Sequence, residues 1–261
     1  MATGYITNGR QLSGPRPLRR LAPLLMILLV TGCWKNPPKE IGELNKLGWS
    51  VQQLTDLVTV EKTGCTDADL ATLSEYAQKL KEQKIAMTVV LAGSKITDAG
   101  LANIKSLVNV TTLDVSKTSV TSQGVAAIAG WTNLTSLDLS ETKVNDDALA
   151  HLSKLTNLNS LTLNGSSLTG AGFGSLKDLA NLKSLRLNNT QVDDAGLAKL
   201  PPLLKLNNLR LDKTQITAAS LSQFKKFSGL RELSLKEIAG MIDMETRKKF
   251  EDDNPDLQVD F

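Results

Sequence analysis

From about residue 55 almost to its end, this chain repeats itself with a period of about 24 residues. Consecutive rows begin at Val110, Leu134, Leu158 and Leu182, and each opens with apolar residues at the same offsets. Self-similarity at a fixed period of this size constrains the fold more than composition can. Each repeat is one small unit that cannot bury its apolar face alone, so the units must stack into a solenoid with a continuous core.

Within a repeat, Leu137 and Leu139 flank Asp138, so the two leucines point one way and the aspartate the other. The apolar pair recurs as Val58/Val60, Val89/Leu91, Leu113/Val115, Leu161/Leu163, Leu185/Leu187, Leu209/Leu211 and Leu233/Leu235, and the period predicts a last pair at Leu257/Val259. Eight coils and a closing strand follow from this count. Further along each repeat comes an apolar column (Cys65, Ile96, Val120, Val144, Leu168, Val192, Ile216), with a small hydroxyl residue two positions before it, Thr142 in the typical repeat.

Helix starts are marked by Thr66, Thr97, Thr121, Asn145, Thr169, Asp193 and Thr217, all residue types favoured as N-caps. Acids directly after the cap, Asp67, Asp98, Asp146 and Asp194, suit the positive end of a helix dipole. The small residues Gly100, Gly124, Ala148, Gly172, Gly196 and Ser220 read as the column that lets each helix approach the sheet. The stretch from Cys65 to Ile96 is longer than the common repeat, which predicts a longer helix from Asp67 to about Gln83. Residues 41–54, apolar at Ile41, Leu44, Leu47 and Trp49, read as an N-terminal cap, and Asp243 to Phe250 as a final helix.

The L-x-L-x-x-T-x-V-T-D-A-G-L form of these rows resembles the leucine-rich repeat family, and short bacterial members in particular, over residues 55–261. The resemblance implies an α/β solenoid with a curved parallel sheet on the concave face and helices on the convex face. It also implies recognition of a protein or peptide by the concave face, an implication from fold and not from a site.

Residues 1–33 have a different character. Arg10, Arg16, Arg19 and Arg20 precede the apolar run Leu21 to Val30, with no acid among them. This is the layout of a secretory signal, and the apolar run is too short to span a bilayer, which takes about 20 residues. Val30-Thr31-Gly32-Cys33 resembles the bacterial lipobox. That resemblance implies cleavage before Cys33 and lipidation of its thiol, with anchoring in the cell envelope, at the outer membrane where there are two membranes. The expected organisation is a lipoprotein signal peptide at 1–32, a tether at 33–40, the N-terminal cap at 41–54, repeats at 55–242, and a C-terminal cap at 243–261.

The formal charge of +3 belongs largely to the leader. Without its four arginines, 26 basic residues face 27 acidic ones, about −1. With 4% aromatics, such a chain lacks the basic surface and stacking platform of a nucleic-acid binder. The two cysteines, Cys33 and Cys65, have separate roles, lipidation and core packing, so no disulfide is expected. His151 is the single histidine and cannot build a His-rich metal site. Asp146-Asp147 and Asp193-Asp194 fall on the capping register, and Asp252-Asp253 precedes a turn, so no metal, cofactor, small-molecule substrate or catalytic group is expected.

What remains is the stripe between the paired leucines: Thr59, Val90, Asp114, Asp138, Thr162, Arg186, Arg210 and Ser234. Its acids lie toward the N-terminal half and its arginines toward the C-terminal half. The candidate binding residues are Asp114, Asp138, Arg186, Asn188, Arg210 and Asp212, with Arg186 and Arg210 the anchors that interfaces favour. A membrane-anchored, non-enzymatic recognition module is the leading expectation. The alternative is a lipoprotein that self-associates into a surface structure.

Overall fold

The computed structural model describes residues 39–54, 57–81, 85–240 and 242–261. Cys33, the expected signal peptide and most of the expected tether lie outside the described residues. Helix α1 (Lys39–Lys46) leads into strand β1 (Ser50–Leu54). The coils then alternate strand and helix: β2 (Leu57–Glu61), α2 (Asp67–Lys81), β3 (Ala86–Val90), α3 (Asp98–Asn103), β4 (Val110–Asp114), α4 (Ser122–Ala127), β5 (Ser136–Asp138), α5 (Asp147–Leu152). After β6 (Ser160–Thr162) comes a 3-10 segment (Phe173–Asp178), then β7 (Ser184–Arg186), α6 (Asp194–Ala198), β8 (Asn208–Arg210), a second 3-10 segment (Ala218–Lys226), β9 (Glu232–Ser234), α7 (Met244–Asp253) and β10 (Gln258–Asp260).

All ten strands form one sheet in chain order. From β2 onward every pairing is parallel, as a helical crossover requires, whereas β1 pairs antiparallel with β2 across a two-residue connection that permits no other sense. The sheet is therefore parallel with one antiparallel strand, which falls in the expected N-terminal cap. Ile41, Leu44 and Trp49 of that cap are buried, but Leu47, in the turn after α1, is 44% exposed.

The apolar columns make one core. The leucine pairs, the column from Cys65 to Ile216 and the inward helix residues are almost all fully buried and belong to a single cluster. Helix residues that reach this core recur every third position, as in Leu149, Leu152 and Leu155. That spacing also fits three residues per turn, and two coils use it as 3-10 instead of the expected α-helix. In the first of these, glycine at 172 and 174 weakens the α-helical alternative. The fifteen-residue α2 accommodates the insertion in its coil, and α7 runs to Asp253, beyond the expected end at Phe250.

Polar ladders hold the turns. Thr118, Thr142, Ser166, Thr190 and Thr214 are buried, and each hydroxyl donates to the carbonyl three residues back at 2.6–2.7 Å. At the strand exits Gly93, Lys117, Glu141, Gly165, Asn189, Lys213 and Glu237 form a left-handed column, with φ between 51° and 68°. Lysine and glutamate there cost about 1–2 kcal/mol of backbone strain, offset in part by an N–H bond to the next coil, such as Lys117 to Ser140 at 2.8 Å.

The acids after the caps do more than complement a dipole. Asp67 accepts from the Thr97 N–H and hydroxyl, at 2.8 and 2.6 Å, and Asp98 accepts the same pair from Thr121 at 2.7 and 2.6 Å. Asp194 does so for Thr217, at 2.9 and 2.6 Å. Each acid thus caps the cap of the following coil. Where Gly170 takes the acid's place, the next cap is an aspartate, Asp193, which accepts from the Gly196 N–H at 2.7 Å. The small-residue column serves the same junction. A Cβ at Gly196 would lie 2.1 Å from the Thr169 carbonyl oxygen, and one at Gly172 2.5 Å from that of Asp146. The close approach is to the preceding coil's helix start, and not to the sheet.

Candidate functional site

Strand pairing fixes the free sheet face. Asp114, Asp138, Thr162, Arg186, Arg210 and Ser234 pair in register across β4 to β9, as the repeat predicts. Both ends differ from expectation by two residues. Val60 pairs with Val89, and Glu61 with Val90, so Glu61 and not Thr59 heads the stripe. At the other end Val259 pairs with Leu233 and Asp260 with Ser234, so the last apolar pair is Val259/Phe261 instead of Leu257/Val259. Both terminal coils depart from the common repeat length, and an even slip leaves every side chain on its expected face. The full stripe is Glu61, Val90, Asp114, Asp138, Thr162, Arg186, Arg210, Ser234 and Asp260.

Beside it runs a column of small polar residues: Thr88, Thr112, Ser136, Ser160, Ser184, Asn208, Glu232 and Gln258. Strands at about 4.8 Å spacing line this side while bulkier helical segments line the other, which makes the sheet face the inner one. A shallow recess at its C-terminal end is bounded by Asn208, Arg210, Glu232, Ser234, Gln258 and Asp260.

The comparisons with known proteins agree with this geometry. The family described as Leucine Rich repeat matches residues 106–129, 132–153 and 179–200. An internalin (inlF) from Listeria monocytogenes superposes with a TM-score of 0.58 at 22% identity, covering 78% of this chain and 53% of the internalin. Internalin C2 (inlC2) of the same organism gives 0.55 at 27% identity, covering 74% and 76%. The chain is a leucine-rich repeat solenoid. It spans about half the length of the first internalin, and no curated protein matches its sequence.

In this leucine-rich repeat solenoid the six candidate residues fall into two groups. Four are engaged by the scaffold. Asp114 accepts from the Ser116 N–H at 2.9 Å, and Asp138 from the Ser140 N–H and hydroxyl at 2.8 and 2.6 Å. The Asn188 side-chain oxygen accepts from the Asp212 N–H at 2.9 Å, continuing a ladder in which Asn164 accepts from the Asn188 N–H. Asp212 accepts from the Ser234 hydroxyl at 2.5 Å and the Lys236 N–H at 3.0 Å. Asn188 and Asp212 are thereby parts of the inter-coil frame.

Arg186 and Arg210 are exposed, and no hydrogen bond or ion pair within the described residues engages either guanidinium. The acids around them have other partners. Glu232 accepts from the Asn208 amide, Asp212 is held as above, and Asp260 pairs with Lys236 at 2.5 Å. Asp260 falls outside the stripe that the repeat predicts, and allowing a two-residue insertion in the last coil brings it in.

Of the remaining candidates, Cys65 packs in the core and Asp146 is bonded between coils. Cys65 is fully buried, and burial, reinforced by Asp69, pushes its thiol up to about 11, the reverse of an activated nucleophile. His151 sits half-buried on α5. Asp146 accepts from Thr169 N–H and hydroxyl, Gly170 N–H and Gly172 N–H at 2.7–3.1 Å, and Asp147 lies at the helix start beside Asn145. These hydrogen bonds account for the pair Asp146-Asp147.

Proposed function

We propose that this protein is a lipid-anchored recognition module of a bacterial cell envelope that docks a protein partner on the inner sheet face. The observation that carries the reading is the pair Arg186 and Arg210: two in-register cations on an otherwise small, polar face, without a partner among the described residues of their own chain. Arginines of this kind are the residues through which interfaces concentrate energy. The likeness to internalin folds supports a surface protein built to present such a face, and the leader with its lipobox supports the anchor. The reading is one of binding, not catalysis.

Two measurements test it. A photo-crosslinking residue at Thr162, midway along the stripe, is compared in intact cells with one at Lys154, at the end of the helical side. One defined protein adduct from position 162 alone is expected. Adducts of the chain with itself from position 154, and none from 162, would sink the reading in favour of a self-assembling surface structure. For the anchor, Cys33→Ala should release the protein from the membrane fraction and abolish a lipid mass on the mature N-terminus. Equal membrane retention of the variant would refute lipidation at Cys33.

A further inference from the structure

We infer that the occupant of the inner face is a helical segment of the partner with its charges segregated along its length, lying across the strands with a pair of carboxylates on Arg186 and Arg210; this rests on the inner-face reading above. Three observations lead there.

First, β7 and β8 pair in register, which sets Arg186 and Arg210 side by side at about the 4.8 Å strand spacing. Like charges directly opposite one another are unfavourable in a sheet. The stripe neighbours are the hydroxyl residues Thr162 and Ser234, and Asp212, Glu232 and Asp260 are engaged elsewhere. Among the described residues no carboxylate lies within ion-pairing distance of either guanidinium, so both are open to a countercharge from a partner. Guanidinium groups match carboxylates two bonds at a time, so an acid pair is the fitting complement.

Second, the middle of the sheet face offers side chains only. Its strand backbones are paired on both sides from β2 to β9. An extended peptide laid on such a face finds only scattered hydroxyl and amide side chains for its own N–H and C=O groups, whereas a helix satisfies them internally. Acids one turn apart on a helix stand about 5–6 Å from each other, close to the arginine spacing. Successive same-face residues of an extended strand stand about 7 Å apart.

Third, Asp114 and Asp138 lie on β4 and β5, with their pair centred three strands, or about 14 Å, from the centre of the arginine pair. Each keeps one carboxylate oxygen outside the hydrogen bonds described above. On a helix rising about 1.5 Å per residue, that distance is between two and three turns. The complementary segment carries an acid pair and, two to three turns further along, a basic pair. Acids at a helix N-terminus and bases at its C-terminus suit the dipole, so the segment's N-terminus lies over β7 and β8.

The test uses the full chain and a fluorescent synthetic helical peptide with glutamates at i and i+4 and two lysines two to three turns later. Anisotropy is measured in low salt. We expect binding to wild type and at least tenfold weaker binding to the R186E/R210E double variant. The R186K/R210K variant should fall between them, because a point charge cannot take a carboxylate bidentately. A peptide of the same composition with its charges scrambled should bind worse than the ordered one.

No binding to wild type, or equal binding by wild type and R186E/R210E, overturns the inference. So does arginine-dependent binding in which polygalacturonate, an anionic polysaccharide, outcompetes the peptide at equal carboxylate concentration. Crosslinking from Thr162 in cells separates this failure from that of the broader reading. An adduct retained in R186E/R210E keeps the inner face as the binding surface but removes the charge-segregated helix. Absence of an adduct in wild type removes both. Both arginines are exposed, so unchanged far-UV circular dichroism is expected of each variant and verifies its fold.

Discussion

Asp146 has the most demanding environment of any single residue in the frame. Burial pulls its carboxyl up, but hydrogen bonds from Thr169, Gly172 and Gly170 outweigh burial and hold it below the ordinary aspartate value. A carboxylate depressed in this way stabilises the fold above the unfolded-state value near 4, and the contribution is lost as pH falls through the lower folded value. Asp146→Ala leaves those donors without an acceptor and should cost about 2 kcal/mol at pH 7, read by urea denaturation. The gap between wild type and variant should shrink as pH is lowered from 5 toward 3; a constant gap would show that the charge is not what matters. Asp146 was legible in sequence as a helix-start acid. Its partner was not, because the donors lie 23 to 26 residues away and become neighbours only when coils stack.

At the scale of the element, the junction between consecutive helix starts limits what the small-residue column tolerates. Gly196→Ala places a methyl group 2.1 Å from the Thr169 carbonyl oxygen, a backbone atom that cannot rotate away. A loss of about 3 kcal/mol is expected. Gly174 has nothing within 4 Å of the position a Cβ would take and is not left-handed. Gly174→Ala should therefore stabilise by about 0.5 kcal/mol, through the unfolded chain's lost freedom. Thermal melts of the two variants check both signs, and equal effects would contradict the packing argument. The column itself was visible as a periodic small residue. Whether it made room for the sheet or for the neighbouring helix was undecidable from the period, since both surfaces recur once in every repeat. The choice between α and 3-10 helix was equally open, because buried residues at every third position satisfy either.

As a whole molecule, a solenoid is a one-dimensional stack in which each coil contacts its neighbours and the ends need covering. At the C-terminal end α7 brings Phe250 between Phe224 and Phe261, with ring centroids 6.3 Å apart on each side. Phe250→Ala removes this seal and should cost about 3 kcal/mol locally. Hydrogen exchange should quicken first in β9 and β10 while β4 to β6 keep their protection. Uniform acceleration along the stack would mean that the molecule unfolds as one unit. The closing strand also shows how far a period reaches. Extrapolating the repeat gave the right faces but placed the last pair at Leu257/Val259, while the ten-residue α7 moves it to Val259/Phe261.

The sequence by itself determined the solenoid, its coils, the core columns and the residues of the inner-face stripe from β3 to β9, because all of these follow from the period of the apolar positions and the alternation of a strand. Only the tertiary structure decided which of those face residues are available. Asn188 and Asp212 look like Arg186 and Arg210 among the polar positions of the repeat, yet the first two are bonded into the frame between coils and the last two are not. The physical reason is that hydrogen bonds and charge compensation depend on distances between residues one or more coils apart, and those distances exist only once the coils have stacked.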